Sequence, residues 1–140
     1  MNVEVNYTAV LLAGVASMII GFLWYSPMLF GKKWMTLMGL TKEKMEDAKA
    51  EMGKTYGISF VLALVTAYVL SHVMTLSENF YQYSPMQTGL ISAFWMWLGF
   101  IMPVQTTEVL FGGKKWELFA INTSYQLASL LAMGVVLGMM

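Results

Sequence analysis

Four stretches of this chain are apolar without a charged interruption. They run from Val5 to Tyr25, from Tyr56 to Leu76, from Thr88 to Thr107 and from Leu118 to Met140. None contains Lys, Asp or Glu, and each reaches the roughly 20 residues that a helix needs to cross a hydrocarbon core. A backbone in lipid must satisfy its own hydrogen bonds, so uninterrupted apolar runs of this length read as helices. The pattern predicts an all-α fold: a single domain over 1–140 formed by four transmembrane helices with spans at about 5–25, 56–76, 88–107 and 118–140. The first run has no basic leader and no convincing cleavage signal, so it is expected to be a retained span.

Only the first connection, 26–55, is long. Its segment TKEKMEDAKAEMG carries Thr41 as a helix cap, Leu40 and Met45 at staple positions, and Gly53 as a C-terminal stop. Met45, Ala48 and Met52 share one face, which predicts a short amphipathic helix along the membrane surface, preceded by an interfacial segment WMTLMGL.

Composition strengthens the membrane reading. The chain is 58 % hydrophobic and 11 % charged, with a mean hydropathy of +0.62, whereas charged residues make up about a quarter of a typical soluble domain. A net charge of zero and a pI near 6.6 give no basic face for a phosphate backbone, which argues against nucleic acid as a partner. The absence of cysteine removes disulfides, thiolate metal ligands and cysteine nucleophiles.

The basic residues are eight lysines, and their placement carries information. Six lie in the first connection and two, Lys114 and Lys115, in the third; none lies at either terminus or in the second connection. By the positive-inside rule the connections 26–55 and 108–117 are cytoplasmic and both termini are outside. The two lysine clusters sit in similar sequences, LFGKKWM at 29–35 and LFGGKKWE at 110–117. In each, aromatic and basic residues follow a span: Trp24, Tyr25, Phe30, Lys32, Lys33 and Trp34 in the first, Phe111, Lys114, Lys115 and Trp116 in the second. These are expected to be interfacial anchors, because Trp favours the headgroup level and lysine reaches into water. Gly21-Phe22 and Gly99-Phe100 precede the two copies, a pattern that fits two parallel hairpin repeats. Interface chemistry acting independently at two boundaries would write the same residues.

Helices associate in lipid through close approach at small residues and through interhelical hydrogen bonds. Small residues recur every four positions in the first span (Ala9, Ala13, Ser17, Gly21), the second (Ser59, Ala63, Ala67, Ser71) and the fourth (Ala120, Ser124, Ala128, Ala132). These stripes are the expected packing faces. The third span begins one with Gly89 and Ala93, then breaks it at Trp97, so Phe94, Trp95 and Trp97 are expected to face lipid or a partner.

Several motifs dissolve on inspection. Gly53-Lys54-Thr55 resembles the end of a phosphate-binding loop but has Ala48 where the first glycine belongs. His72 is the only histidine, so no multi-histidine metal site or His-based catalytic pair exists within one chain. The 14 methionines are scattered and read as adaptable packing.

The remaining polar residues gather in the cytoplasmic halves of the last two spans. Gln105, Thr106, Thr107 and Glu108 end the third, and Asn122, Gln126 and Ser129 share a face of the fourth. At 1.5 Å per residue, Asn122 and Gln126 lie about 6 to 12 Å from the start of their helix, at a depth where they can meet Thr106 and Glu108. Pro103 should kink the third helix beside them. Polar groups at this depth either line a substrate or proton path or pin two helices together.

The stretch WYSPMLFGKKW at 24–34, LGF at 98–100, Thr107-Glu108 and the run from FGGKKW to Asn122 resemble a bacterial membrane family known as domain of unknown function 1761. The resemblance covers the chain outside about 41–54. It implies a small four-span integral membrane protein and brings no activity with it. Together these features lead to the expectation of a small inner-membrane protein without catalysis, cofactor or metal. It would act as a structural or accessory subunit, as a homo-oligomer or with other membrane subunits in the lipid bilayer. The alternative is a small-solute or ion transporter or channel with Gln105, Thr106, Glu108, Asn122 and Gln126 along its path.

Overall fold

A computed structural model describes residues 3–140, and its regular structure is helical throughout. The elements are α1 (Tyr7–Trp24), α2 (Gly31–Met38), α3 (Lys42–Lys49), α4 (Met52–Tyr81), α5 (Pro85–Met96), a π-helical turn (Trp97–Ile101), α6 (Met102–Gly112) and α7 (Trp116–Met139). Helices α1, α4 and α7, and the continuous run from α5 through the π turn to α6, are each long and apolar enough to cross a membrane. α1 packs against α4 and α7, and α5 packs against the same two helices, so the spans form a closed ring in which each contacts the next.

Local sequence sets the helix ends. Asn6 caps α1 by accepting from the Ala9 N–H, and Thr41 caps α3 by accepting from Lys44 N–H. Ser84 and Gln87 form a capping box ahead of α5, with Pro85 at its first position. Gly39 and Gly113 turn the chain in the left-handed conformation after α2 and α6.

Three boundaries differ from the sequence reading. The second span is longer, from Met52 to Tyr81, because Lys54 and Glu78 fall beyond the apolar stretch, where water accommodates a charged helical turn. Gly53 is not the stop of α3. That helix ends at Lys49, a turn at Ala50–Glu51 follows, and Gly53 lies in the first turn of α4. The third span runs from Pro85 to Gly112 and carries the irregularity that Pro103 foreshadows. Proline has no N–H to donate and its ring crowds the carbonyl four residues back. The chain absorbs this by widening one turn, with the Met102 N–H reaching the Trp97 carbonyl in an i to i−5 bond.

Small residues bring the helices close. Ala9, Ala13 and Ser17 of α1 and Ala63 and Ala67 of α4 are buried, and Gly14 leaves room for the Leu64 side chain. The tightest approach joins α5 to α7 at Gly89 and Gly134, where a Cβ on either glycine would overlap the other's carbonyl group. The α7 face at these contacts is not the expected stripe. Ala120 is exposed and Ser124, Ala128 and Ala132 are only half-buried, while Ser129, Leu130, Met133 and Gly134 are buried. α7 lies between α1 and α5, so two faces of it are covered rather than one stripe. Gly21 meets the Tyr125 ring.

The paired sequences at 29–35 and 110–117 adopt different backbones. The first forms the start of α2, while the second ends α6, turns at Gly113 and starts α7. Both nevertheless lie at the same end of the ring, where Lys33 and Glu117 are 3.5 Å apart in an exposed ion pair.

Candidate polar site beside the fourth span

The side chains expected to meet between the third and fourth spans are divided between two neighbours of α7. Successive residues of a helix point about 100° apart. Asn122 accordingly faces α1, where its Oδ1 accepts from the Tyr25 hydroxyl at 2.7 Å. Thr123 faces the third span, where its hydroxyl donates to Gln105 Oε1. Ser129, two turns along the Asn122 face, shares a 2.6 Å buried hydrogen bond with Ser17 of α1. The face carrying Asn122 and Ser129 is thus turned to the first span, not the third. Gln126 is half-buried on the same helix, and no side-chain hydrogen bond joins it to another described residue.

Two tryptophans flank this segment symmetrically. The Trp24 indole N–H donates to the Ile121 carbonyl at 3.1 Å from the α1 side, and the Trp97 indole N–H donates to the Thr123 carbonyl at 2.9 Å from the π turn. Trp97 therefore faces inward, against the expectation that it joins Phe94 and Trp95 in facing lipid or a partner; Phe94 and Trp95 are exposed. Trp97 lies four residues beyond Ala93 and eight beyond Gly89, so regular helical spacing sets it on the face that α5 turns to α7. Carbonyl oxygens have two lone pairs, so Ile121 and Thr123 accept these bonds without giving up their helical ones.

Tyr25 is more than an interfacial anchor. Its ring meets Trp34 and Tyr125 edge-on at 5.4 and 5.2 Å between centroids, while its hydroxyl holds Asn122. The turn that follows is tight. Gly31 N–H donates to the Ser26 carbonyl at 2.9 Å and Phe30 N–H to the Trp24 carbonyl at 3.1 Å, and a Cβ at Gly31 would collide with this backbone. The WYSPMLFGKKW stretch is consequently a folded unit that locks the end of α1 onto α7.

Thr106 and Thr107 hydroxyls donate to their own helix, at Met102 and Val104. Glu108 pairs with Lys114 at 2.9 Å, with both side chains about half exposed. Glu108, Lys114, Gln105 and Asn122 nonetheless border one small open pocket of about 30 Å³, whose lining Val109, Leu118 and Phe119 complete. That volume accommodates a water molecule with polar groups on several sides. Among the described residues no group of three or more His, Asp or Glu side chains could hold a metal ion.

Of the expected anchors, Phe111 and Trp116 are strongly exposed, Lys32, Lys33 and Lys115 are exposed, and Phe30 lies against Trp24 at 5.3 Å. The sequence reading missed Thr123 as the residue of α7 that meets the third span and Trp97 as its partner there, and it assigned Trp24 and Tyr25 to the lipid boundary alone. A tryptophan or tyrosine at a span end satisfies both roles, and composition cannot distinguish them.

A family model described as "Protein of unknown function (DUF1761)" matches residues 8–138. This spans nearly the whole chain, and the chain belongs to that family. No curated protein and no solved structure matches it.

Proposed function

We propose that this member of the DUF1761 family is a non-catalytic structural or accessory protein of a bacterial inner membrane, working as a homo-oligomer or within a larger membrane complex. One observation carries the reading. Hydrogen bonds from polar residues at membrane depth join the helices: Ser17 with Ser129, Tyr25 with Asn122, Gln105 with Thr123, and two indoles with carbonyls of α7. In lipid such bonds pin helices together, and the space left beside them suits a single water molecule rather than a solute. The exposed lysine-bearing segments α2 and α3 supply a surface for a partner at one end.

A second reading has its own support. The π turn ends one helical turn before Gln105, which borders the pocket with Glu108 and Asn122, and π turns occur often at functional sites. Under that reading the pocket is the narrow point of a path for a small ion.

Two measurements separate them. Native mass spectrometry of the protein gently extracted from its own membrane, without overexpression, is expected to show stoichiometric companion chains, whereas a homo-oligomer of 15.7 kDa units free of other chains would shift the weight toward the path. Flux in reconstituted vesicles is expected to be unaffected by Glu108→Gln. A flux that Glu108→Gln abolishes in folded protein overturns the accessory reading in favour of the path.

A further inference from the structure

At the end of the ring opposite the lysines, α4 and α5 part. The gap is a groove of about 520 Å³ lined by Val73, Ser77, Tyr81, Tyr83, Thr88, Ile91, Ser92, Trp95 and Met96. Its origin is visible in the packing. Gly89 draws the outer half of α5 onto Gly134 of α7, and Gly138 lies against the Pro85 carbonyl. At the floor of the groove α5 carries the short side chains of Thr88 and Ser92, and its larger Ile91, Trp95 and Met96 line the sides and leave space between the helices.

The volume is that of a small-molecule site, and the lining defines what suits it. No charged side chain borders the groove, so neither a phosphate headgroup nor an ion finds a counter-charge there. Hydroxyls do border it, from Ser77, Ser92, Tyr81 and Tyr83. Thr88 already donates to the Ser84 carbonyl at 3.0 Å. Ser92 is 5 % exposed as a residue, and no fully buried side-chain oxygen among the described residues lacks a partner, so its hydroxyl and that of Ser77 are open to the groove rather than sealed in apolar packing. A hydroxyl in an apolar setting is costly without a partner, and these two face the same space. At the mouth the Tyr81 and Tyr83 rings stack within 7° of parallel at 5.4 Å, and Trp95 extends the aromatic surface.

Depth and opening complete the picture. From Pro85 to Met96 is about 16 Å along the helix at 1.5 Å per residue, roughly half of a 30 Å hydrocarbon core. The groove therefore runs from the interface toward mid-membrane. Ile91 and Trp95 on its edge are 41 % and 62 % exposed on the outer surface of the ring, so entry is sideways from the bilayer.

We propose that the groove between α4 and α5 binds an uncharged, membrane-soluble ligand with a flat ring head bearing hydrogen-bond acceptors and an apolar tail. The ring lies among Tyr81, Tyr83 and Trp95, its acceptors take the Ser77 and Ser92 hydroxyls, and the tail leaves between Ile91 and Met96 into the acyl region.

A benzoquinone carrying a decyl tail tests this, because it matches the chemistry and quenches tryptophan fluorescence on contact. With purified protein in nanodiscs of zwitterionic lipid, quenching should contain a saturable component that Trp95→Phe removes. Ser92→Leu, which fills the groove, should abolish that component, and Ser77→Ala with Ser92→Ala should weaken it roughly tenfold, as loss of two modest hydrogen bonds requires. If Ser92→Leu does not fold, Val73→Phe from the opposite wall serves the same purpose. Quenching that rises without saturation, or that the filling variants leave unchanged, overturns the proposal. So does equal competition by decylbenzene, which would show that the groove accepts any acyl chain and ignores the ring's acceptors.

Discussion

At the scale of single residues, two kinds of contact hold the helices, and their magnitudes differ. A hydrogen bond between transmembrane helices averages about 0.6 kcal/mol with a maximum near 1.7. Forcing additional atoms into a closed contact costs about 1 to 3 kcal/mol. Gly89 and Gly134 meet backbone to backbone, so a methyl on either has no flexible neighbour to displace. Gly89→Ala is therefore expected to lower stability by about 1 to 3 kcal/mol in detergent unfolding curves. Tyr25→Phe removes only the bond to Asn122 and keeps the ring contacts, so its cost should be about 0.6 kcal/mol. A larger effect from Tyr25→Phe than from Gly89→Ala would mean that the polar contacts dominate. The pair Ser17 and Ser129 offers a cleaner measurement, since each serine is the other's partner in a buried site. A double-mutant cycle with alanine at both positions should give a coupling of about 0.6 kcal/mol, and a coupling near zero would show that each hydroxyl finds its own helix carbonyl instead.

Among the elements, the third span shows what pattern reasoning reaches and where it stops. Its apolar length identifies a crossing helix, and Pro103 identifies a disturbance. Neither determines whether the helix bends or widens, because proline removes a backbone bond and leaves open how the preceding turn re-forms its own. The same limit applies to the polar site. Asn122 and Thr123 are adjacent in sequence yet serve different neighbours, α1 and the third span. A single sequence gives the angle between them but not which helix stands on either side, which is why Asn122 reads as a partner of Thr106 and Glu108 when its hydrogen bond goes to Tyr25. The end positions of α4 were hidden for another reason: outside the hydrocarbon, charge no longer opposes helix, so Lys54 and Glu78 mark the membrane boundary rather than the helix boundary. The widened turn itself makes a sharp prediction. A π turn holds one residue more than the helix needs, and the Cα of Gly99 within it points into open space, where a Cβ would meet no other part of the chain within 4 Å. Deleting Gly99 together with Pro103→Ala should close the turn while both flanks keep their facing, giving protein that remains monodisperse by size exclusion. Deleting Ala93, which is fully buried in the regular part of α5, rotates Gly89 away from Gly134 and should yield aggregate. Equal tolerance of the two deletions would show that the turn absorbs nothing.

For the molecule as a whole, the open issue is which way the ring faces, and the charges bear on it directly. The two lysine-bearing segments, distant in sequence, converge at one end through the Lys33–Glu117 pair, so the eight lysines do not straddle the membrane. The opposite end carries Glu78 and the aromatic cluster of Phe80, Tyr81 and Tyr83, with no lysine. Positive charge near span ends is retained on the cytoplasmic side, so we propose that the groove between α4 and α5 faces the exterior and that α2 and α3 face the cytoplasm. The chain has no cysteine, so the orientation is open to direct labelling. Lys49 and Asn79 are exposed residues at the two ends of the longest helix and its neighbour. With Asn79→Cys, a membrane-impermeant maleimide should react in intact cells; with Lys49→Cys, it should react only after permeabilisation. The reverse pattern would invert the molecule. It would place the lysine-rich helices outside, where a cytoplasmic partner could not reach them, and the accessory reading would then need a partner on the other face.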